Sequence, residues 1–333
     1  NLIIFNIIIL LIYSIFFQKV LINNLKLNLK ILLALGIVSL VNIYGSGFSD
    51  DINHYHYSYI ANTDVSNFIW GNSFLHPLYG FESTWLVGHS YFNFDKYRLQ
   101  DIHILNGLIF FLVLGCFFSE LYKKNKKKFY HLIIFFIILF VLLKYTRLKE
   151  FGIDRPSTLI FCFLIFYYCK YFLYLNKKDI IPNFIIISLL SIFIFSIKII
   201  YLPILFFPLI IFFRNKLILL KKNWNYLIIS LPIFIFVMKN ILGSGCLIYP
   251  VSSTCMEFIS WSNSNGAKEY SISAEIFNKS WYSYTGDLSK ESYIQNFNWF
   301  LTWFERGKVE IFELFLTAIL SVIITFILFN LKS

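Results

Sequence analysis

Charged residues are scarce in this chain. They occupy 14% of its 333 positions, against about 25% in a soluble globular domain, and that scarcity argues against an ordinary water-facing surface. The five cysteines form no C-x-x-C pair, so the usual zinc-ribbon and redox spacings are missing. Cys116, Cys162 and Cys169 lie inside apolar runs, where a free cysteine acts as a small hydrophobe. Strand-like alternation of polar and apolar residues is also lacking, so helices rather than a β-barrel must satisfy the backbone in lipid. The chain opens at Asn1, with no positively charged segment before its first apolar run and no A-x-A site after it; no signal peptide is expected. The basic residues form no stripe with a nucleic-acid motif, which argues against a nucleic-acid partner.

Apolar residues dominate instead, at 58% of the chain with a mean hydropathy of +0.68. Several runs approach or exceed the ~18 residues that cross a bilayer. The expected fold class is all-α, a single polytopic membrane domain over residues 1–333. Nine spans are expected, at about 2–18, 29–45, 102–122, 129–146, 157–175, 180–197, 199–213, 225–242 and 309–330. The sixth and seventh are separated only by Ser196, Ile197 and Lys198, as a tight hairpin or one broken element.

The net charge of +11 is concentrated in short lysine clusters between these runs, such as Lys123, Lys124, Lys126, Lys127 and Lys128, or Arg214, Lys216, Lys221 and Lys222. Such clusters mark the cytoplasmic side. Of the acids, Glu120 and Asp179 share that side. The first outer loop is then 45–101, the second 146–156, and a larger extracytoplasmic cap covers 243–308. The expected location is a bacterial plasma membrane, with the active loops facing outward.

The first outer loop holds the densest chemistry. Asp50 and Asp51 follow directly on the second apolar run. One would serve as a general base and the other as its partner, or both simply open a water-facing loop. Asp51, His54 and His56 also have a spacing open to a divalent metal. No fourth ligand and no cofactor are assigned; substrate hydrogen bonding by His54 or His56 is favoured over a metal, and a plain loop histidine over both. Further along, Trp70, Phe74, Leu75, Leu78, Tyr79, Phe81, Trp85 and Leu86 recur every three or four positions. That spacing predicts one amphipathic helix in the plane of the membrane surface.

The second outer loop crowds Arg147, Lys149, Glu150, Asp154 and Arg155 together. Cations on the outer face run against the general trend. They either bind a phosphate, Arg bidentately and Lys as a point charge, or pair with Glu150 and Asp154. Lys198 and Lys239 sit near the outer ends of their runs, where they snorkel or join that phosphate site. In the cap, Cys246 and Cys255 stand nine positions apart with Pro250 between them. On an oxidising face that arrangement is open to a disulfide, the alternative being two unpaired small hydrophobes.

Loop after an early span, acids at its start, interfacial helices, a charged second outer loop and a late outer cap: this layout resembles the GT-C superfamily of integral membrane glycosyltransferases. Two stretches are similar to a bacterial multi-pass branch of it. Trp70-Gly71-Asn72-Ser73-Phe74-Leu75-His76-Pro77-Leu78-Tyr79-Gly80-Phe81-Glu82-Ser83-Thr84-Trp85 is similar to an N-L-H-x-x-x-G-F-x-S-x-W run. Lys239-Asn240-Ile241-Leu242-Gly243-Ser244-Gly245-Cys246-Leu247-Ile248-Tyr249-Pro250 is similar to a W-x-N-x-x-x-S-G-x-x-x-Y-P run, with Met238 or Lys239 where the Trp is expected.

The resemblance implies sugar transfer from a polyprenyl-phosphate donor to a saccharide or lipid acceptor of the cell envelope. It matches Asp50 or Asp51 to the first-loop base and Glu150 or Asp154 to a second acidic position. Arg147, Lys149, Arg155, Lys198 and Lys239 are then the phosphate-binding candidates. His54, His56, Trp70, His76, Glu82 and Trp85 are the substrate-binding ones. A polysaccharide polymerase or ligase, and a non-enzymatic lipid or sugar transporter or flippase, remain the alternatives.

Overall fold

A computed structural model describes residues 33–40, 51–66, 69–91, 104–121, 128–147, 152–174, 180–219 and 224–330. Most of these residues are helical, and the only pairing of extended backbone among them is an isolated antiparallel bridge between Cys246 and Cys255. The chain divides into two compact units. One comprises Asn1–Ile69 and Glu82–Lys239, the other Trp70–Phe81 and Asn240–Ser333.

The first unit contains a π-helical turn at Ile52–His56 that runs into α1 (Tyr57–Val65). After it come α2 (Thr84–Ser90), α3 (Ile104–Leu121), α4 (Lys128–Arg147), α5 (Asp154–Tyr174) and α6 (Ile180–Ile197). A 3-10 segment, Ile199–Leu205, leads into α7 (Phe206–Arg214), and α8 (Trp224–Ser244) closes the unit at Lys239. Pro156 and Pro182 each lie in the first turn of a helix, where a missing N–H costs no ladder bond. Phe110, Phe117, Ile134, Leu159, Ile160, Leu164, Ile187 and Ile194 form the buried centre.

Among the described residues, three helices are long and apolar enough to cross a membrane: Ile104–Leu121, Ile180–Ile197 and Tyr226–Ser244. Helices also cover the expected runs at 129–146 and 309–330, that at 157–175 as far as residue 174, and, as a 3-10 segment followed by α7, that at 199–213. The run at 2–18 lies outside the described residues, and of that at 29–45 only 33–40 is described, as helix. At Lys198 the backbone turns extended (φ −145°, ψ 118°). This breaks the sixth run from the seventh, and both the 3-10 segment and α7 pack back on α6.

One expectation is overturned. The stretch from Trp70 to Leu86 is not a single amphipathic helix. It is two 3-10 turns, Asn72–Phe74 and Pro77–Phe81, followed by α2. Gly71 and Glu82 take positive φ (67° and 45°) and Pro77 lacks an amide proton, so no helical ladder passes these points. Trp70, Phe74 and Leu75 are exposed, whereas Tyr79, Trp85 and Leu86 are buried, so the eight residues share no common face.

The second unit contains the two 3-10 turns, a loop closed by Cys246 and Cys255, α9 (Ser264–Asn278) and α10 (Phe300–Asn330). The Asn263 side chain caps α9 by accepting from the Gly266 amide at 3.0 Å, and its Nδ2 donates to the Ser73 carbonyl at 3.3 Å. Trp261 Nε1 donates to the Ile241 carbonyl at 3.0 Å, and its ring meets Trp70 edge-on at 4.6 Å.

Candidate functional site

In the first unit, one end of the helix bundle gathers the polar side chains. Three residues of the stretch 82–85 organise it. The Glu82 backbone carbonyl accepts from Lys239 Nζ on α8 at 2.9 Å, and Glu82 Oε2 accepts from the Tyr59 hydroxyl on α1 at 2.7 Å. Ser83 Oγ donates to the carbonyl of Ile197, the last residue of α6, at 2.9 Å. Trp85 Nε1 donates to Asn106 Oδ1 on α3 at 2.8 Å. The start of α3, the end of α6 and the late part of α8 therefore meet the first-loop segment at the same end.

The start of α5 joins them. Asp154 Oδ1 pairs with Lys198 Nζ, and Thr158 on the next turn shares a hydrogen bond with the Tyr201 hydroxyl at 3.3 Å. About half of the Asp154 side chain and a third of the Lys198 side chain remain exposed (51% and 34%). Such a screened pair adds little stability, so both groups stay available to a third partner. Arg155, the next residue, is buried.

His56 lies within electrostatic reach of both members of that pair. Burial, chiefly, lowers its pKa from 6.5 to about 4; Asp154 opposes the shift and Lys198 adds to it. At neutral pH the imidazole is therefore uncharged, a hydrogen-bonding group rather than a cation. Three residues on, the Tyr59 phenol is held well above its usual range, by burial first and then by the charge and hydrogen bond of Glu82. It remains a proton donor to that carboxyl group.

The structure thus distributes the sequence candidates in a definite way. His56, Asp154 and Lys198 are brought together from the first loop, the start of α5 and the break after α6. Asp51 and His54 are exposed at the π-helical turn, with Asp51 as its N-terminal flanking residue. Glu82, Trp85 and Lys239 are buried and spend polar atoms on internal partners rather than on an open surface. Arg147 ends α4. Asp50, Lys149 and Glu150 lie outside the described residues. Among the described residues no three His, Cys, Asp or Glu side chains gather into a set that could hold a metal ion; of the Asp51, His54 and His56 trio, only His56 is buried.

The remaining candidates, Trp70 and His76, belong to the second unit. His76 Nδ1 accepts from the Leu78 amide at 3.2 Å, and its ring lies 5.2 Å from that of Tyr79. There the Cys246–Cys255 disulfide forms, with Cα atoms 3.7 Å apart. It closes a loop around buried Tyr249, whose ring packs on Gly80, Phe81 and Tyr270. Burial first, then Tyr270, pushes the Tyr249 phenol up to about 12.

Sequence reasoning missed Tyr59, Ser83 and Asn106. Ser83 was within reach, because it is the serine of the G-F-x-S-x-W run. Tyr59 and Asn106 carry no local signal at all.

A search of curated proteins and a search of solved structures each return no match to this chain. The profile of DUF8201, described as a domain of unknown function, matches residues 1–333, and the chain belongs to that family.

Proposed function

We propose that this DUF8201 family member is an integral membrane glycosyltransferase of the GT-C type. It would move a sugar from a polyprenyl-phosphate donor to a cell-envelope acceptor at the extracytoplasmic face of a bacterial plasma membrane. The observation that carries this reading is the meeting of His56, Asp154 and Lys198 at one end of the bundle. A transferase needs first-loop groups close to its phosphate ligands, and the trio supports the reading by setting a first-loop histidine beside an acid and a lysine from two other elements.

In the reaction, an acceptor hydroxyl attacks the anomeric carbon from the face opposite the phosphate. The new C–O bond forms as the bond from carbon to phosphate oxygen breaks, and polyprenyl phosphate leaves with the electron pair. The acceptor proton passes to the carboxylate of Asp51, which is exposed, or to that of Asp50. Lys198, released in part from Asp154, meets the charge growing on the leaving phosphate. Arg155 sits beside that pair in sequence. Neutral His56 adds a hydrogen bond without adding charge, and apolar helices sheath the polyprenyl tail.

Membranes carrying the chain would be supplied with radiolabelled polyprenyl-phosphate hexoses and scored for labelled acceptor and free polyprenyl phosphate. Replacing the base, by Asp51→Asn or Asp50→Asn, should slow transfer by ~10²–10⁴-fold. Lys198→Ala should raise the donor KM by about 10-fold or more, the loss of one hydrogen bond to a charged group. No transfer with any of these donors, or wild-type rates in the Asp50→Asn/Asp51→Asn double variant, would defeat the proposal.

A further inference from the structure

Ser83 immediately precedes α2, the place where a serine ordinarily caps its own helix by accepting from an amide two or three residues on. Here its hydroxyl makes no such bond. It donates instead to the carbonyl of Ile197 at 2.9 Å, across 114 positions of sequence. Ile197 is the last residue of α6, where carbonyls have no helical partner. Ser83 is buried, so this bond is shielded from competition with water.

The residue that follows Ile197 is Lys198. Its own amide donates to the Ile194 carbonyl at 3.1 Å, and its carbonyl accepts from the Tyr201 amide at 3.1 Å. The peptide unit linking Ile197 to Lys198 is therefore held at its oxygen by Ser83 and at its nitrogen by Ile194. This restraint lies exactly one residue from the side chain that pairs with Asp154, at the point where the backbone leaves the helix and turns extended.

We infer that Ser83 is a positioning residue for Lys198: its bond to the Ile197 carbonyl sets the direction in which the Lys198 ammonium is presented. The neighbouring anchors serve other elements. Trp85 holds α3 through Asn106, and Glu82 holds α1 and α8 through Tyr59 and Lys239. Of these three anchors, Ser83 is the one that bonds to the backbone beside Lys198. The inference rests on the transfer reading only for its kinetic consequence; the restraint on Lys198 stands apart from it.

The test compares Ser83→Ala, Ser83→Thr and Ser90→Ala in the full chain in detergent. Ser90 Oγ bonds only within its own helix region, to the Val87 carbonyl at 2.7 Å, so it controls for the loss of a hydroxyl. Each protein is treated briefly with an amine-reactive reagent, and labelling at Lys198 is measured by peptide mass spectrometry. Exposed Lys290 in the second unit serves as internal reference. Ser83→Ala should raise labelling of Lys198 by ~3-fold, the factor set by one hydrogen bond of ordinary net strength. Lys290 should not change, Ser83→Thr should restore the wild-type rate, and Ser90→Ala should match wild type. In the transfer assay Ser83→Ala should raise the donor KM with kcat little altered. Should Ser83→Ala fail to accumulate, Ser83→Cys, of similar size with a weaker donor, carries the same comparison. Unchanged labelling at Lys198, or a rise shared by Lys290, would overturn the inference. A wild-type chain inactive on polyprenyl-phosphate sugars would sink the transfer reading and leave the labelling to decide this one.

Discussion

Tyr59 and Glu82 meet through a 2.7 Å hydrogen bond between two side chains that are almost wholly buried. Removing the phenolic hydroxyl takes a donor from a buried carboxyl group, which cannot turn to water for a replacement. Tyr59→Phe should therefore destabilise the protein by about 1–3 kcal/mol. Thermal unfolding in detergent would measure it. Glu82→Gln keeps an acceptor for Tyr59 and should cost less. Equal stability of Tyr59→Phe and wild type would count against the bond.

His56 makes the stability of the fold depend on pH. Its folded pKa lies near 4 and its unfolded value near 6.5, so between these the unfolded chain binds more protons. Stability from this residue is complete above pH 6.5 and is lost as pH falls toward 4. Between pH 7 and pH 5 the loss should be about 2 kcal/mol. Comparing wild type with His56→Gln at both pH values isolates it, because the other acid-titrating groups are common to the two. A pH dependence identical in the two proteins would refute the assignment.

Gly80 leaves no room for a side chain. A β-carbon there would fall 2.9 Å from Cε1 and Cζ of Tyr249, and that ring is buried and packed on Phe81. Gly80→Ala should cost about 1–3 kcal/mol, as overpacked sites do. At Gly307, within α10, a β-carbon meets nothing within 4 Å. Gly307→Ala should leave stability unchanged or raise it by up to about 1 kcal/mol. A lowered melting temperature for Gly80→Ala, beside an unchanged or raised one for Gly307→Ala, is the expected result.

The Cys246–Cys255 bridge closes a loop of nine positions. Reduction, or a Cys246→Ser/Cys255→Ser double variant, should lower stability by roughly 2–3 kcal/mol. Under non-reducing conditions a maleimide probe should leave both cysteines unlabelled. Labelling of both without reductant would contradict the pairing.

Much of this protein is local, and the sequence alone determines that part. An apolar run long enough for a helix becomes one, because in lipid or in a packed core only internal hydrogen bonding satisfies the backbone. The runs at Ile104–Leu121, Ile180–Ile197 and Tyr226–Ser244 are legible for that reason, and so is the short cysteine loop around Pro250. The break after the sixth run is foreshadowed by Lys198.

Tertiary packing decided the rest. The three- and four-residue spacing from Trp70 to Leu86 suggests a helix, but Gly71, Pro77 and Glu82 interrupt the ladder. The segment Trp70–Phe81 instead groups with Asn240–Ser333, far along the chain. Glu82 and Trp85 look like surface groups for a substrate, yet packing turns them inward to Tyr59 and Asn106. Ser83 looks like a helix cap, yet it serves a different helix 114 residues away. Hydropathy and turn chemistry act over a few residues and can be read in order. The choice of partner for a buried polar atom depends on which elements are packed beside it, and only the folded arrangement brings Ser83 to Ile197 or His56 within reach of Asp154.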